Sequence, residues 1–279
     1  MNGINGQGSP RLNLVNLGSG SSGNCTLLDA EQHGASCQVL IDLGFSMRRT
    51  RRQLRELGTD LSAIDHVFLT HLDRDHFNPS WARTLSSMQI PVHVAPGHAG
   101  AALRSGCPEE CLSMLPHHMQ LEGGLEVHAI SVAHDVSGCT AFRFELGEKR
   151  LGFATDLGHV PDELVEFFSG VHVLAFESNY DRSMQIESDR PEFLKQRIMG
   201  GRGHLSNEQS LNAVLRIADG GDLESIMLLH LSRQCNASWC IDELYAACAP
   251  QLRERLVITS QTEATPWIKC IPLVPAGGN

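Results

Sequence analysis

Short apolar runs broken by polar turns, alternating with segments of helical periodicity, organise most of this chain. Residues 12–17 (Leu-Asn-Leu-Val-Asn-Leu) alternate as a strand, stop at a Gly/Ser run over 18–24, and resume at 25–28, which predicts a tight hairpin. No Gly-Lys-Ser/Thr follows the glycines, so a P-loop is excluded. Strands are also predicted over 39–43, 66–69, 91–95, 125–132, 140–146, 150–154, 171–176, 226–229 and 257–259. Helices are predicted over 46–57, from about 78, over 98–104, from Pro161 to Gly170, from a capping box at Ser206-Asn207-Glu208-Gln209, and over 241–256. Residues 181–203 read as a polar loop or small helix. Alternating strands and helices, together with hairpin pairs, suit an α+β arrangement of two mixed sheets packed between helices. One domain is expected over 11–274, with a disordered lead over 1–10 and a flexible tail over 275–279.

The polar residues are not scattered evenly. Thr70-His71-Leu72-Asp73-Arg74-Asp75-His76 sets four metal-ligand side chains at the end of one apolar run. His134, Asp156 and His230 each stand at the end of another. A histidine at one strand end is ordinarily structural. Four such ends on one edge of a sheet are neighbours in space, and their imidazoles and carboxylates can converge on a cation.

Composition narrows the picture. The chain has 279 residues, 42% hydrophobic, with a formal charge of −10. This is enough to bury a core, and too acidic for a broad nucleic-acid-coating surface. Nothing approaches a membrane-spanning apolar run, and residues 1–10 lack the basic and apolar regions of a signal peptide, so a cytoplasmic protein is expected. Nine cysteines without CxxC pairs fit buried reduced thiols better than a disulfide framework or a thiolate zinc site. Against the acidic balance, Arg48, Arg49, Arg51, Arg52 and Arg55 crowd one helix, either as a solvated face or as a phosphate-contacting one.

Residues 71–76 resemble the His-x-His-x-Asp-His motif of the metallo-β-lactamase superfamily, with Asp73 in place of the second histidine. The later His134, Asp156 and His230 are similar to that family's series in order and separation. Residues 17–24, 154–158, Glu177-Ser178-Asn179-Tyr180-Asp181, Gly203-His204-Leu205-Ser206-Asn207 and His230-Leu231-Ser232 further resemble its YycJ/WalJ-type branch of bacterial phosphodiesterases.

The resemblance implies an αββα four-layer sandwich and two divalent metal ions, manganese, iron or zinc. His71, Asp73 and His134 would hold the first ion, Asp75, His76 and His230 the second, and Asp156 would bridge them over a shared, acidified water. Asp75, Asp156 and His204 are then the catalytic candidates, His204 as proton donor to the leaving oxygen. Asn179, Arg182, Ser206, Ser232, Arg48 and Arg52 are the substrate-binding candidates. Aspartate at position 73 is shorter and harder than histidine, so it weakens the preference for zinc or leaves one site weak. The expected function is a dinuclear-metal phosphodiesterase acting on nucleic acid, exonuclease-like, by attack on phosphorus. Its alternatives are a hydrolase of a small phosphodiester, cyclic phosphate or lactone, and a redox or non-catalytic metal-binding protein with an altered site. No membrane partner is expected.

Overall fold

The computed structural model describes residues 9–271. All but the last two residues of the expected lead, positions 272–274 of the expected domain and the whole of the expected tail lie outside the described residues. Strands β1 (Arg11–Gly18), β2 (Cys25–Gln32), β3 (Ala35–Ile41), β4 (His66–Phe68), β5 (Val92–Val94) and β6 (Leu112–Met114) make up most of one sheet. Strands β7 (His118–Gln120), β8 (Glu126–Val132), β9 (Cys139–Leu146), β10 (Lys149–Ala154), β11 (Val173–Glu177), β12 (Ser225–Leu229) and β13 (Leu256–Ile258) make the second. The last strand, β14 (Ile268–Lys269), returns to pair with β1 and completes a seven-stranded first sheet.

Each sheet is half hairpin and half crossover. β1, β2 and β3 pair antiparallel; His33 and Gly34 turn the β2–β3 hairpin, both with positive φ (53° and 81°). From β3 to β6 the pairing is parallel, which demands long crossovers, and helices α1 (Met47–Glu56), α2 (Ala82–Met88) and α3 (Ala99–Arg104) supply them. The second sheet repeats the scheme: β7 to β10 form an antiparallel meander, and β10 to β13 run parallel. Its crossovers carry α4 (Asp162–Phe167), then α5 (Arg182–Glu187), α6 (Glu192–Met199) and α7 (Asn207–Ala218), and finally α8 (Ser238–Cys248).

Three apolar layers hold these parts together. Phe68, Phe142, Phe144, Val173 and Met227 meet between the sheets. Leu54, Trp81, Leu85 and Ala102 pack the first helices on the outer face of the first sheet. Leu164, Leu211, Val214, Ile241 and Tyr245 do the same for the second. Two mixed sheets between helices are therefore what the sequence folds into, as its alternation predicts.

Two predicted elements come out differently. The helix expected over 241–256 starts earlier and ends at Cys248, because Pro250 cannot continue it; Pro250–Arg255 is a 3-10 turn instead. Residues 181–203 are not irregular. They form α5 and α6 around a small core of Tyr180, Ile198 and Cys235, with Met184, Leu194 and Met199 packed against it.

Candidate metal centre

The carboxyl ends of β3, β4, β8, β10, β11 and β12 meet at one edge of the sandwich, where Thr140 N–H of the second sheet donates to Thr70 C=O of the first (2.9 Å). Three residues that follow these strands occupy the left-handed region without being glycine: Asp42 (φ 62°), Asp156 (φ 54°) and His230 (φ 58°). Such backbone costs on the order of 1–3 kcal/mol per residue and persists where surrounding contacts fix it. Here the strain aims each polar side chain off its strand and into a common space. Close approach helps as well: a Cβ on Gly44 would collide with the Asp75 carbonyl, which accepts from Asn24 N–H (2.7 Å), so the 70–76 loop lies flat on the Gly/Ser turn.

Donor atoms converge in overlapping groups, each within 4.8 Å, among them His71, Asp73 and His134; Asp75, His76 and His230; His71, His76 and Asp156; and Asp156, Glu177, His204 and His230. Asp156 Oδ2 lies 3.1 Å from His76 Nε2 and its Oδ1 lies 4.0 Å from His134 Nε2, so it faces the first two of these groups. Hydrogen bonds fix how the rings present themselves. His76 Nδ1–H donates to Asp42 (2.7 Å), His71 Nδ1–H to the Thr70 hydroxyl (3.1 Å), and His134 Nδ1–H to Gly203 C=O (2.9 Å). The Thr70 hydroxyl in turn donates to Asp42 (2.9 Å). All three rings thus turn Nε2 toward the centre, in the way that outer partners orient ligating imidazoles. Asp73 is the exception in depth: its side chain is 57% exposed against 4% for His71, with 3.9 Å between them.

Charge explains what this end is suited to hold. Burial works against ionised carboxylates, yet the facing histidines outweigh it and keep Asp75, Asp156 and Glu177 below the usual carboxylate range. Reciprocally, burial opposes a charge on His230, but Asp156, Asp75 and Glu177 outweigh it and raise its pKa to about 10. His76 is raised well above the usual value in the same way, by Asp42 and Asp156 against burial. The acids outnumber their fixed cationic partners, and histidine protons balance them. Divalent cations seated among the same oxygens and Nε2 atoms would take over that balance, so the donor set fits two such ions.

Beside the donors, His204 Nδ1–H donates to the buried Glu177 Oε1 (2.7 Å) and lies 3.4 Å from Asp156 Oδ1. Glu177 Oε2 also accepts from Leu157 N–H (2.7 Å) and Leu205 N–H (3.2 Å), which locks the pair. The donors and His204 open into a cavity of about 320 Å³ that runs under α6, lined also by Asn179, Arg190, Arg197, Ser232 and Gln234. Arg190 is held by Gln185, Gln234 and Ser232, each at 3.1 Å, and among the described residues by no carboxylate. Arg197 pairs with Asp135.

The structure thus brings together every predicted ligand, along with His204, Asn179 and Ser232. It does not bring Arg48, Arg52 or Arg182 into the cavity lining, and Ser206 spends its hydroxyl capping α7 by accepting from Gln209 N–H. The arginine helix is only partly neutralised: Arg51 and Arg55 share Asp60, Arg52 faces Glu56, and Arg49 donates to the uncharged Gln261 C=O. Sequence reasoning missed Asp42, which orients His76, and Glu177, which holds His204. It also placed the cavity cation at Arg182 rather than Arg190. For Glu177 the only sequence signal is its place in the 177–181 motif.

The model of a "Beta-lactamase superfamily domain" matches residues 38–230. Exodeoxyribonuclease YycJ of Bacillus anthracis is 26% identical over 225 residues, which cover 79% of this chain and 82% of that protein. Among solved structures, the metallo-β-lactamase fold protein YhfI from Bacillus subtilis superposes with a TM-score of 0.65 at 13% identity, covering 92% of this chain and 99% of that one. Zn²⁺-bound PqqB from Methylobacterium extorquens does so with a TM-score of 0.62 at 15% identity, covering 91% and 99%.

Proposed function

The chain belongs to the β-lactamase superfamily domain family and is a hydrolase of metallo-β-lactamase fold; from that premise we propose that it cleaves phosphodiester bonds of nucleic acid, in the manner of a DNA exonuclease. The charge layout of the cavity carries this reading: a floor of carboxylate and imidazole donors, and on the wall Arg190, whose guanidinium is held only by neutral oxygens. An uncompensated arginine beside a cation-binding floor suits a phosphate, which bridges the two. The name of the Bacillus anthracis relative, an exodeoxyribonuclease, supports the polymer.

In this reading His71, Asp73 and His134 hold one ion, Asp75, His76 and His230 the other, with Asp156 between them. Divalent ions held there would neutralise phosphate oxygens and acidify a bound water. Arg190 binds a non-bridging phosphate oxygen. His204, held through Nδ1–H by the Glu177 carboxylate, is the group placed to hand a proton to the leaving oxygen. Asp73, a hard and half-exposed donor, favours manganese, iron or magnesium over zinc at its ion.

The test is cleavage of 5′-phosphorylated DNA by metal-stripped protein refilled separately with manganese, iron, magnesium or zinc. Cleavage returns with a harder cation, and His204→Ala or Glu177→Gln lowers kcat roughly 10²–10³-fold with little change in KM. No cleavage under any cation, with a small diester still hydrolysed, would give the lead to the small-phosphodiester reading, which the partly roofed cavity of about 320 Å³ also accommodates.

A further inference from the structure

A second cleft of about 420 Å³ adjoins the catalytic cavity and shares His134, Asp73, Asp135 and Arg197 with it. It leads away from the donors, past Leu72, over α3 and along the turn 135–138. We propose that this cleft is the track for a single-stranded nucleic acid whose scissile diester lies at the donors, with Arg104 on the next backbone phosphate and Val136 against its base. The proposal rests on the phosphodiesterase reading of the same centre.

Three observations carry it. The first is Arg104, at the end of α3: it lines the cleft, is exposed, and has no carboxylate partner among the described residues. The other arginine of that cleft, Arg197, is already neutralised by Asp135. A lone cation one cleft away from Arg190 gives the acidic chain two separated phosphate positions on either side of the donors.

The second is the turn that displays Val136. Val136 is 99% exposed, yet the turn beneath it is braced on every side. Gly138 N–H donates to His134 C=O (2.8 Å), Asp135 N–H to Arg202 C=O (2.7 Å), and His98 Nε2–H to Ser137 C=O (3.1 Å). An apolar side chain held out on a hydrogen-bonded turn at the mouth of the cleft offers a surface to a flat apolar partner such as a base.

The third is Phe193, 73% exposed on α6. It lies outside the lining of both cavities, but it precedes Arg197 by four residues and so shares the helix face of the guanidinium that borders them. Aromatic and apolar side chains interleaved with arginines are the ordinary furniture of single-strand binding. A duplex suits the surface poorly. The net charge is −10 and α6 lies over the donors, so a strand that can bend into the cavity reaches them more readily than a duplex does.

The test compares two substrates and a binding measurement. Bis(p-nitrophenyl) phosphate fills the catalytic cavity alone; oligothymidylate of about twenty nucleotides would also fill the cleft. With the holoprotein, Arg104→Glu and Val136→Glu raise KM for oligothymidylate about tenfold or more and leave bis(p-nitrophenyl) phosphate turnover within about twofold. In fluorescence anisotropy on an inactive His204→Ala background, Arg104→Glu weakens oligothymidylate binding and flattens its salt dependence, whose slope falls by about one for the lost phosphate contact. Unchanged KM, affinity and salt slope in both variants would overturn the track. So would duplex DNA bound as tightly as the single strand and weakened equally by Arg104→Glu. A chain that turned over neither substrate would sink the phosphodiesterase reading, while anisotropy, which needs no turnover, would still decide whether the cleft binds a strand.

Discussion

The two ends of the sandwich both carry histidines and acids in contact, and only one has the features of a reaction centre. At the end described above, the donors of His71 to His76, His134, Asp156 and His230 gather. At the other end Cys37, His66 and Glu122 likewise bring ligand-type atoms within 4.8 Å, with His93 beside them. Proximity does not separate the two. Hydrogen-bond bookkeeping does. At the far end His66 uses both ring nitrogens, Nδ1 against His93 Nε2 (3.0 Å) and Nε2 against Glu122 (2.8 Å). A cation on His66 Nε2 would force Nδ1–H toward His93 and leave a buried N–H at His93 Nδ1, which has no partner. At the donor end His71, His76 and His134 have Nδ1 occupied by acceptors and Nε2 turned inward; His76 Nε2 also meets the Asn24 amide (2.9 Å) and Asp156 (3.1 Å), and a cation there would displace the Asn24 contact without leaving a ring N–H unpaired. The far end is a closed hydrogen-bonded chain; the near end is a set of donors pre-oriented for something more.

The sharpest way to break this contrast is to remove one residue from each end. Asp156→Ala should lower turnover roughly 10³-fold or more, equivalent to about 4 kcal/mol of transition-state stabilisation, and His66→Ala should leave it within about twofold. Both variants should keep the far-ultraviolet circular dichroism of the parent. Comparable losses from the two would mean that the far cluster feeds the reaction, and the contrast would fall.

The same comparison shows what a sequence discloses. The donor end was legible because four of its ligand-type residues sit within six positions, and because His134, Asp156 and His230 each close an apolar run. Asp42 and Glu177 also close apolar runs but were not picked out as site residues. Their roles are to hold His76 and His204, 34 and 27 residues away in sequence, and only folding makes those pairs. Arg190 and Arg182 are equivalent in composition; which one reaches the cavity is decided by its contacts with Gln185, Ser232 and Gln234. The hairpins and helical crossovers were legible from their turns and caps. The edge strands β6, β7 and β14 were not, being two or three residues long, with only Ile268 of β14 fully buried. The equally short β4, β5 and β13 were legible because each lies in a largely apolar run, which the more exposed β6 and β7 lack.

A smaller effect follows from His93. Burial, helped by the charge of His66, lowers its pKa from 6.5 to about 4. The unfolded chain therefore takes up a proton near pH 6.5 that the folded chain accepts only near pH 4. Stability from this residue is complete above the unfolded value and is lost as pH falls between the two, by about 2 kcal/mol from pH 7 to pH 5. Urea unfolding at the two pH values should show that slope in the parent and a shallower one in His93→Gln. An identical slope in the variant would mean that His93 is not held neutral, and the closed-chain account of the far end would fail with it.

The smallest effect concerns the thiol beside that chain. Burial, aided by the charges of Asp65 and Glu122, pushes Cys37 up to about 12, so roughly one molecule in a few thousand carries the thiolate at about pH 8.5. Cys248 by contrast is exposed. Iodoacetamide should therefore modify Cys248 in the native protein while leaving Cys37 unmodified, as mapped by peptide mass spectrometry, and added zinc should not alter the Cys37 result. A zinc ligand behaves otherwise: the metal draws the thiol's proton off and shields the sulfur from alkylation. Rapid labelling of Cys37 that zinc suppresses would mark a thiolate poised for a cation, and both ends of the sandwich would then have to be read as metal sites.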